Sequence, residues 1–259
     1  MSDISHWMRV FGFDLKRFVK SLAELGRYRD SRRQFRTALS GNFAWGRELP
    51  ILDEWSQSSG SLGAYFQQDL EVARWIHEVN PMRHIDVGSR IDGFIGHLAV
   101  FRQVEVIDIR PQPQPIKNVL FHQLDLMDVL PDEWLESTES LSCLHTIEHF
   151  GMGRYGDPID ADGHLKGLEQ LKRMVAPGGM FYLSTPIGPQ RVEFNAHRIF
   201  AAATLLEWFG KDWTIERFCY VDDNGVLHEN VDYRSHEAKN HFGCQTGLGI
   251  VAARKGRMN

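Results

Sequence analysis

Long apolar runs are missing from this chain of 259 residues, and no window approaches the roughly 20 consecutive apolar residues that a membrane helix needs. The opening segment MSDISHWMRVFGFDLK breaks its apolar residues with charges, so it lacks the core of a secretory signal. Cysteine is scarce as well. Cys143, Cys219 and Cys244 form neither a Cys-x-x-Cys pair nor an even-numbered framework, which excludes a disulfide scaffold. Together these absences predict an unexported, cytoplasmic protein with reduced thiols. Basic residues are not in excess: the formal charge is −5, which argues against a broad nucleic-acid surface, and no nucleic-acid partner is expected. Internal repeats and low-complexity tracts are absent too.

With 42% hydrophobic residues the chain can bury one full α/β core and a small appendage, but not two large domains. Charge marks the appendage. Residues 1 to 36 hold nine Lys/Arg against four Asp/Glu, so that segment is positive and the remainder strongly negative. Within it Phe11, Leu15, Phe18, Leu22 and Leu25 fall on one helical stripe, which can dock on the main domain, on a partner or on an anionic membrane surface. The last option would make the protein membrane-peripheral. The polar stretch SQSSGSLG, Ser56 to Gly63, reads as a linker and divides an N-terminal helical extension (1–60) from an α/β domain (61–259).

From Tyr65 onward helix and strand alternate. Phe66, Leu70, Ala73, Ile76 and Val79 predict an amphipathic helix stopped by Asn80-Pro81, after which RHIDVGS runs as a strand into glycine. VEVIDI, VLFHQL, SLSCL and MFYLST are further short β-rich runs. Leu165, Leu168, Leu171 and Met174 mark a helix, and Pro177-Gly178-Gly179 a turn before the last of those strands. A helix near Ala202 to Phe209, the strand WTIERFCYV, a hairpin signal at Asp223-Asn224-Gly225 and the strand GLGIVAAR close the chain. Such alternation predicts a doubly wound, mostly parallel sheet covered on both faces.

In that architecture ligands bind beyond the carboxyl ends of the strands. The first strand ends in Asp86-Val87-Gly88-Ser89, the second in Asp108-Ile109-Arg110, and the third leads into Asp125-Leu126. Asp108 follows Asp86 by 22 residues, near the spacing of about 20 at which an acid meets a ribose diol. An adenosine-containing cofactor is expected, although Asp86 and Asp108 would also serve as caps of strand-to-helix turns.

The fourth strand ends at Leu144, and SCLHTIEHFG then places His145, Glu148 and His149 at i, i+3 and i+4. In a helical turn those positions share a face, so two imidazoles and a carboxylate can converge on one ion, or one histidine can act as a base. Past the fifth strand, RVEFNAHRIF offers Glu193 and His197 as further ligands. The plainer alternative stays open: Glu148 caps a helix, His149 packs on Phe150 and His145 only touches cofactor. The loop GMGRYGDPIDADGHLKG, Gly151 to Gly167, should overlie the acceptor pocket. There Arg154 and Tyr155 can hold a phosphate or sugar ring, and Asp157, Asp160 and Asp162 can bond hydroxyls, unless the loop is an ordinary one with an Asp cap. His228, His236 and His241 form either a second metal cluster or a solvated surface.

The order of parts from about Tyr65 to Lys255 resembles the class I S-adenosylmethionine-dependent methyltransferases. The resemblance implies a seven-stranded Rossmann-like sheet with S-adenosylmethionine held by Asp86, Gly88, Ser89, Arg90, Gly93, Asp108, Ile109, Asp125, Leu126 and His145. APGGMFYLSTP is similar to the family's turn before its fifth strand. One departure stands out: in DVGSRIDGF, Arg90 and Asp92 occupy places where the family has glycines, and Gly93 comes one place late. Arginine adds bulk where the backbone should approach the methionine moiety.

The HxxEH run resembles a subset with Glu-x-x-Glu-His after the fourth strand, the small-RNA 2′-O-methyltransferases and the ubiquinone-pathway O-methyltransferases. By that resemblance His145, Glu148, His149 and His197 bind one divalent ion, and His149 or Glu148 takes the acceptor proton where it is not a ligand. Nitrogen-rich donors favour zinc, manganese or iron over magnesium. The chain is also similar to a methyltransferase-like family associated with bacterial surface-polysaccharide loci, which implies a sugar or glycan hydroxyl as acceptor. The expected function is therefore a metal-assisted O-methyltransferase of polysaccharide biosynthesis. Two alternatives remain: a metal-dependent hydrolase or lyase on the same fold, and a non-catalytic subunit of a glycan-synthesis complex.

Overall fold

A computed structural model describes residues 3–41, 43–55, 60 and 62–257. It divides into two units, Met1–Ser61 and Leu62–Asn259. The linker expected at Ser56 to Gly63 falls largely outside the described residues.

In the first unit, helices α1 (Asp3–Val10), α2 (Leu15–Ala23) and α3 (Leu25–Ala38) follow one another. Asp14 caps α2 by accepting from the Arg17 amide at 3.0 Å. An extended segment beyond α3 is tied back by charge. Glu48 accepts from Arg32 Nε at 2.5 Å, and the guanidiniums of Arg27 and Arg36 lie 4.5 and 5.1 Å over Trp55 and Trp45. Phe11, Leu15, Phe18 and Leu22 of the predicted stripe are exposed, whereas Leu25 is half-buried.

The second unit is built on one eight-stranded sheet. Its strands are β1 (Ile85–Val87), β2 (Val104–Asp108), β3 (Val119–Gln123), β4 (Thr138–Leu144), β5 (Val175–Ile187), β8 (Trp213–Val221), β9 (Leu227–His228) and β10 (Gly247–Lys255), in the order β3-β2-β1-β4-β5-β10-β8-β9. The first five run parallel, and β10 is antiparallel to both β5 and β8. This is the doubly wound, mostly parallel sheet expected, with one correction and one addition. The Asp222–Gly225 turn adds the two-residue edge strand β9 and makes eight strands instead of seven. RVEFNAHRIF, read from the sequence only as lying past the fifth strand, folds as a separate hairpin of β6 (Arg191–Glu193) and β7 (His197–Ile199).

Helices cover both faces because each has one apolar stripe. On one side α4 (Ala64–Val79) buries Val72, Trp75 and Ile76 with Phe94, Ile95 and Leu98, the last on the short helix α5 (Gly96–Ala99). On the other, α6 (Gly163–Met174) buries Leu168, Leu171 and Met174, and α7 (Ala202–Glu207) buries Leu205. Each such side chain contributes about 1.5–3 kcal/mol by leaving water. Asn80 ends α4 in the left-handed conformation, with φ 47°. Pro177-Gly178-Gly179 is not a free turn: β5 already begins at Val175, and the irregularity appears as a register shift against β4 between Thr138 and Ser140. Among the described residues no helix is long and apolar enough to cross a membrane.

A polar chain crosses this sheet inside the core. His84 meets the Ser140 and Ser142 hydroxyls at 2.8 and 3.1 Å, Ser142 donates to Asp86 at 2.5 Å, and Asp86 also accepts from the Ser89 hydroxyl at 2.7 Å. Burial holds His84 down to about 3 and pushes Asp86 up to about 7, against the hydroxyl bonds that favour its carboxylate. Both groups are therefore neutral in the folded protein in mildly acidic solution. Asp86 has a raised folded pKa, so its contribution is full in acid and is lost as pH rises through 7; His84, with a depressed one, has the opposite slope below its unfolded value. Replacing Asp86 by Asn should leave only the His84 slope. In urea unfolding, the stability of Asp86→Asn relative to the unaltered protein should then rise by about 1.4 kcal/mol per pH unit between pH 4 and 7. A difference independent of pH would show that Asp86 is ionised in the core.

Candidate functional site

The carboxyl ends of β1, β2 and β4 open on a cavity of ≈ 250 Å³, near the lower end of the roughly 300–1,000 Å³ usual for small-molecule sites. Of the residues that the resemblance assigns to the cofactor, Gly88, Ser89, Arg90, Asp108, Ile109, Asp125, Leu126 and His145 line it. Two expected contacts do not. Asp86 has no exposed surface and spends its carboxylate on Ser89 and Ser142, so it shapes the loop from below. Gly93 faces Asp69 instead: a Cβ there would lie 2.9 Å from the Asp69 carboxylate.

Gly88 is demanded by its backbone. Its φ is +72°, and a Cβ would lie 2.2 Å from Thr146 Cγ2, so the loop after β1 presses directly on the turn after β4. The missing family glycines change the continuation. Ile91–Ile95 forms a wide π-type turn, and Arg90 turns to Asp92, with bonds of 3.0 and 2.8 Å. Its side chain is largely exposed, so it lines the cavity rim without filling the cavity. Asp108 is less free than the sequence implies. Arg110 binds both of its oxygens, at 2.9 and 2.6 Å, and the Arg110 amide adds a third bond at 2.8 Å. A carboxylate has about four acceptor positions, so one remains for a ribose hydroxyl.

The turn after β4, Ile147–His149, brings the HxxEH residues together. His145 sits in the left-handed region at φ 53°, a strained setting for a residue other than glycine. Its amide donates to the Ser184 carbonyl and hydroxyl at 3.1 and 3.0 Å, and that hydroxyl in turn donates to buried Gln68 at 2.5 Å. The His145 ring packs on Tyr65 with centroids 4.5 Å apart. Glu148 is fully buried, and neither oxygen has a well-formed hydrogen bond. Its Oε1 touches His145 Nδ1 and lies 3.8 Å from His149 Nε2. Burial opposes the Glu148 charge, but the two imidazoles outweigh it and hold the carboxyl below its usual range.

The third member is orientated from outside. His149 Nδ1 donates to the Ala196 carbonyl at 2.7 Å, which leaves the lone pair on Nε2 facing Glu148. Burial lowers the proton affinity of this imidazole. The Nε2 lone pair and the Glu148 carboxylate therefore face each other, 3.8 Å apart. The ligand atoms of His145, Glu148 and His149 all lie within 4.8 Å of one another, so the donor set fits a divalent ion.

His197 does not join this group. It pairs with Glu193 across the β6–β7 hairpin at 3.5 Å, and its ring centre is 6.3 Å from that of His149, because β7 belongs to a separate sheet. Glu148 is likewise absent from the cavity lining, so the role of proton acceptor from substrate expected of it is not supported; His149 does line the cavity. No second metal cluster forms among the described residues. His228 stacks on Tyr220 and pairs with Asp222 at 3.1 Å, and His241 accepts from the Ala202 amide at 3.3 Å.

The expected acceptor loop is braced by a residue that pattern reading missed. Arg198, 8% exposed, donates to the carbonyls of Glu148, Phe150, Asp160 and Ala161 at 3.3, 2.6, 3.4 and 3.0 Å. Asp157 and Asp160 turn inward to the loop itself, accepting from Gly153, Tyr155, Asp162 and Lys166. Tyr155 closes toward the cavity beneath the guanidiniums of Arg110 and Arg154, 4.5 and 5.1 Å from its ring centre.

The sheet order and the cleft at its carboxyl edge define a methyltransferase-like α/β fold with N-terminal helices. The chain is similar to the [4+2]-cyclase SpnF (14% identity, TM-score 0.50, covering 77% of this chain and 86% of that one). It is also similar to 1,6-didemethyltoxoflavin-N1-methyltransferase from Burkholderia thailandensis, a complex with S-adenosylhomocysteine (14% identity, 74% and 79% covered, TM-score 0.48). A third similar structure is N-methyltransferase NodS from Bradyrhizobium japonicum WM9 with S-adenosylhomocysteine (11% identity, 73% and 86% covered, TM-score 0.49). At such identities what is shared is the fold. Residues 120–242 match a family model described as Caenorhabditis protein of unknown function, DUF268. No curated protein matches the chain.

If Arg198 braces the loop, Arg198→Met should cost about 3 kcal/mol by stranding buried carbonyls. Limited proteolysis should then cut first between residues 151 and 162. Equal cutting in both proteins would remove the bracing role.

Proposed function

We propose that the protein is an S-adenosylmethionine-dependent O-methyltransferase whose acceptor hydroxyl meets the His145–Glu148–His149 cluster. The observation that carries the reading is the meeting of two sites in one place: a nucleotide-type cleft lined by Gly88, Asp108 and Asp125 abuts a buried, unsatisfied carboxylate between two imidazoles. When bound, S-adenosylmethionine supplies an electrophilic methyl group. Ile109 and Leu126 offer an apolar wall to a purine, Asp108 keeps one acceptor position for the ribose, and Gly88 lets backbone approach the methionine end. His145, Glu148 and His149 would hold a divalent ion, zinc, manganese or iron in preference to magnesium, which would lower the pKa of a bound hydroxyl. Ser184 and Gln68 keep His145 in its strained backbone, and Ala196 keeps His149 in one tautomer. The loop carrying Tyr155 shields the cleft from water. A sugar or glycan hydroxyl suits the polar side chains of Arg154, Tyr155 and Asp157 in the lining, and a surface-polysaccharide role extends the resemblance noted from the sequence.

A second reading has support in Arg110 and Arg90, which hold Asp108 and stand in the glycine loop: the cleft would serve another reaction without methyl donation. The same fold in a [4+2]-cyclase shows that architecture leaves the reaction class open. Titration calorimetry separates the two. S-adenosylhomocysteine should bind, and Asp108→Ala should weaken it at least tenfold, about 1.4 kcal/mol. Elemental analysis should find near-stoichiometric metal that His149→Ala and Glu148→Gln both lose. No heat with either adenosyl ligand would remove the transferase reading, and full metal in His149→Ala would remove the metal.

The N-terminal unit is assigned to an anionic membrane surface. Its short α2 helix presents Leu15, Phe18 and Leu22 beside Lys16, Arg17 and Lys20, the composition of an interfacial helix. The Asp53 carboxylate already pairs with Arg17 at 2.6 Å, and Lys20 donates to the Asp53 backbone carbonyl at 2.6 Å, so the attraction should be modest and salt-sensitive. Flotation with phosphatidylglycerol vesicles at low salt should carry the protein up, and Phe18→Ser should abolish it. Failure to float at low salt would overturn the assignment.

A further inference from the structure

Three arginines line the cleft, and they differ in one respect. Arg90 is held by Asp92 and Arg110 by Asp108, each through two nitrogens. Arg154 has no carboxylate within ion-pair distance among the described residues. Its Nη1 donates to the Ala196 carbonyl at 3.0 Å, and its guanidinium lies over the Tyr155 ring. Of five N–H donors it uses one on the protein.

Its position gives those free donors a purpose. The Ala196 oxygen that accepts from Arg154 also accepts from His149 Nδ1, at 2.7 Å. One carbonyl therefore sets a guanidinium beside an imidazole of the candidate metal cluster. A guanidinium fixed on an aromatic ring, with its remaining edge free, is pre-organised for bidentate carboxylate or phosphate.

We propose that Arg154 is the anion-reading residue of this site: the acceptor carries a carboxylate or phosphate a few bonds from the hydroxyl that meets the cluster, as in a sugar acid or sugar phosphate. The identity of that hydroxyl rests on the transferase reading; anion capture by Arg154 does not. The cofactor's own carboxylate is the competing ligand. Arg90, on the loop after β1, is the arginine placed nearer the family's methionine end, whereas Arg154 sits on the loop after β4.

Ligand-observed NMR on the full chain tests this with glucuronate, glucose 6-phosphate and glucose, with and without saturating S-adenosylhomocysteine. At least one anion should bind tenfold or more tightly than glucose, and which one does so identifies the recognised group. Arg154→Gln should erase that preference, Arg154→Lys should retain part of it, and both should keep the thermal midpoint and bind S-adenosylhomocysteine within twofold of the unaltered protein. Glucose binding as well as the anions, no anion binding, or a preference that survives Arg154→Gln would overturn the proposal. So would a tenfold loss of S-adenosylhomocysteine in Arg154→Gln, which would give Arg154 to the cofactor. If S-adenosylhomocysteine fails to bind while Arg154-dependent anion binding persists, the transferase reading falls and the anion site stands.

Discussion

Arg198 sits almost fully buried, with no carboxylate in ion-pair distance among the described residues, and gives its protons to four backbone carbonyls from two separate stretches of chain. Taking a guanidinium out of water costs several kcal/mol, and here four carbonyl dipoles and the more distant charges of Asp157, Asp160 and Asp162 offset that cost. Those carbonyls belong to the turn after β4 and to the far end of the loop that follows. Because they share one cation, the turn and the loop cannot move apart without leaving charge and dipoles unpaired. The placement of Glu148, His149, Arg154 and Tyr155 depends on that constraint.

A second brace works from the opposite side. Gln68 on α4 reaches Ser184 on β5, which holds the His145 amide, so the strained residue at the end of β4 is clamped by a helix and a strand distant in sequence. Gly88 adds the third approach, pressing the β1 loop onto Thr146. Strain is kept at the cluster because its surroundings over-determine it, a pattern typical of functional sites. The cluster is then both rigid and electrostatically incomplete, with a buried carboxylate short of donors and an imidazole lone pair turned toward it.

The cleft divides by charge balance. Beside the loops after β1 and β2 each arginine is matched by an acid two residues away along the chain, Arg90 with Asp92 and Arg110 with Asp108. On the cluster side Arg154 is unmatched by any described carboxylate: Asp157 accepts from the loop's own amides, and Asp160 from an amide and the Lys166 ammonium. An anionic acceptor would complete that balance, whereas a neutral one would leave the guanidinium half-solvated.

Period and punctuation in the sequence were enough to determine the alternating elements, the mostly parallel sheet and the strand-end acids. These depend on side-chain spacing within one turn or one strand, which local geometry dictates. Partnership across the fold was not legible there. Nothing local marks Arg198 in HRIF as a buried brace or Tyr65 as the partner of His145, and nothing shows that Arg110 takes the carboxylate of Asp108. Asp86 read as a cofactor contact because it ends a strand; packing turned it inward to hydroxyls on β4. His197 read as a fourth ligand because it follows β5; in the fold it pairs with Glu193 on the β6–β7 hairpin and stands outside the group of His145, Glu148 and His149. Only tertiary structure decided these cases, because contacts between residues far apart in the chain depend on which elements pack together, and sequence spacing carries no record of that distance.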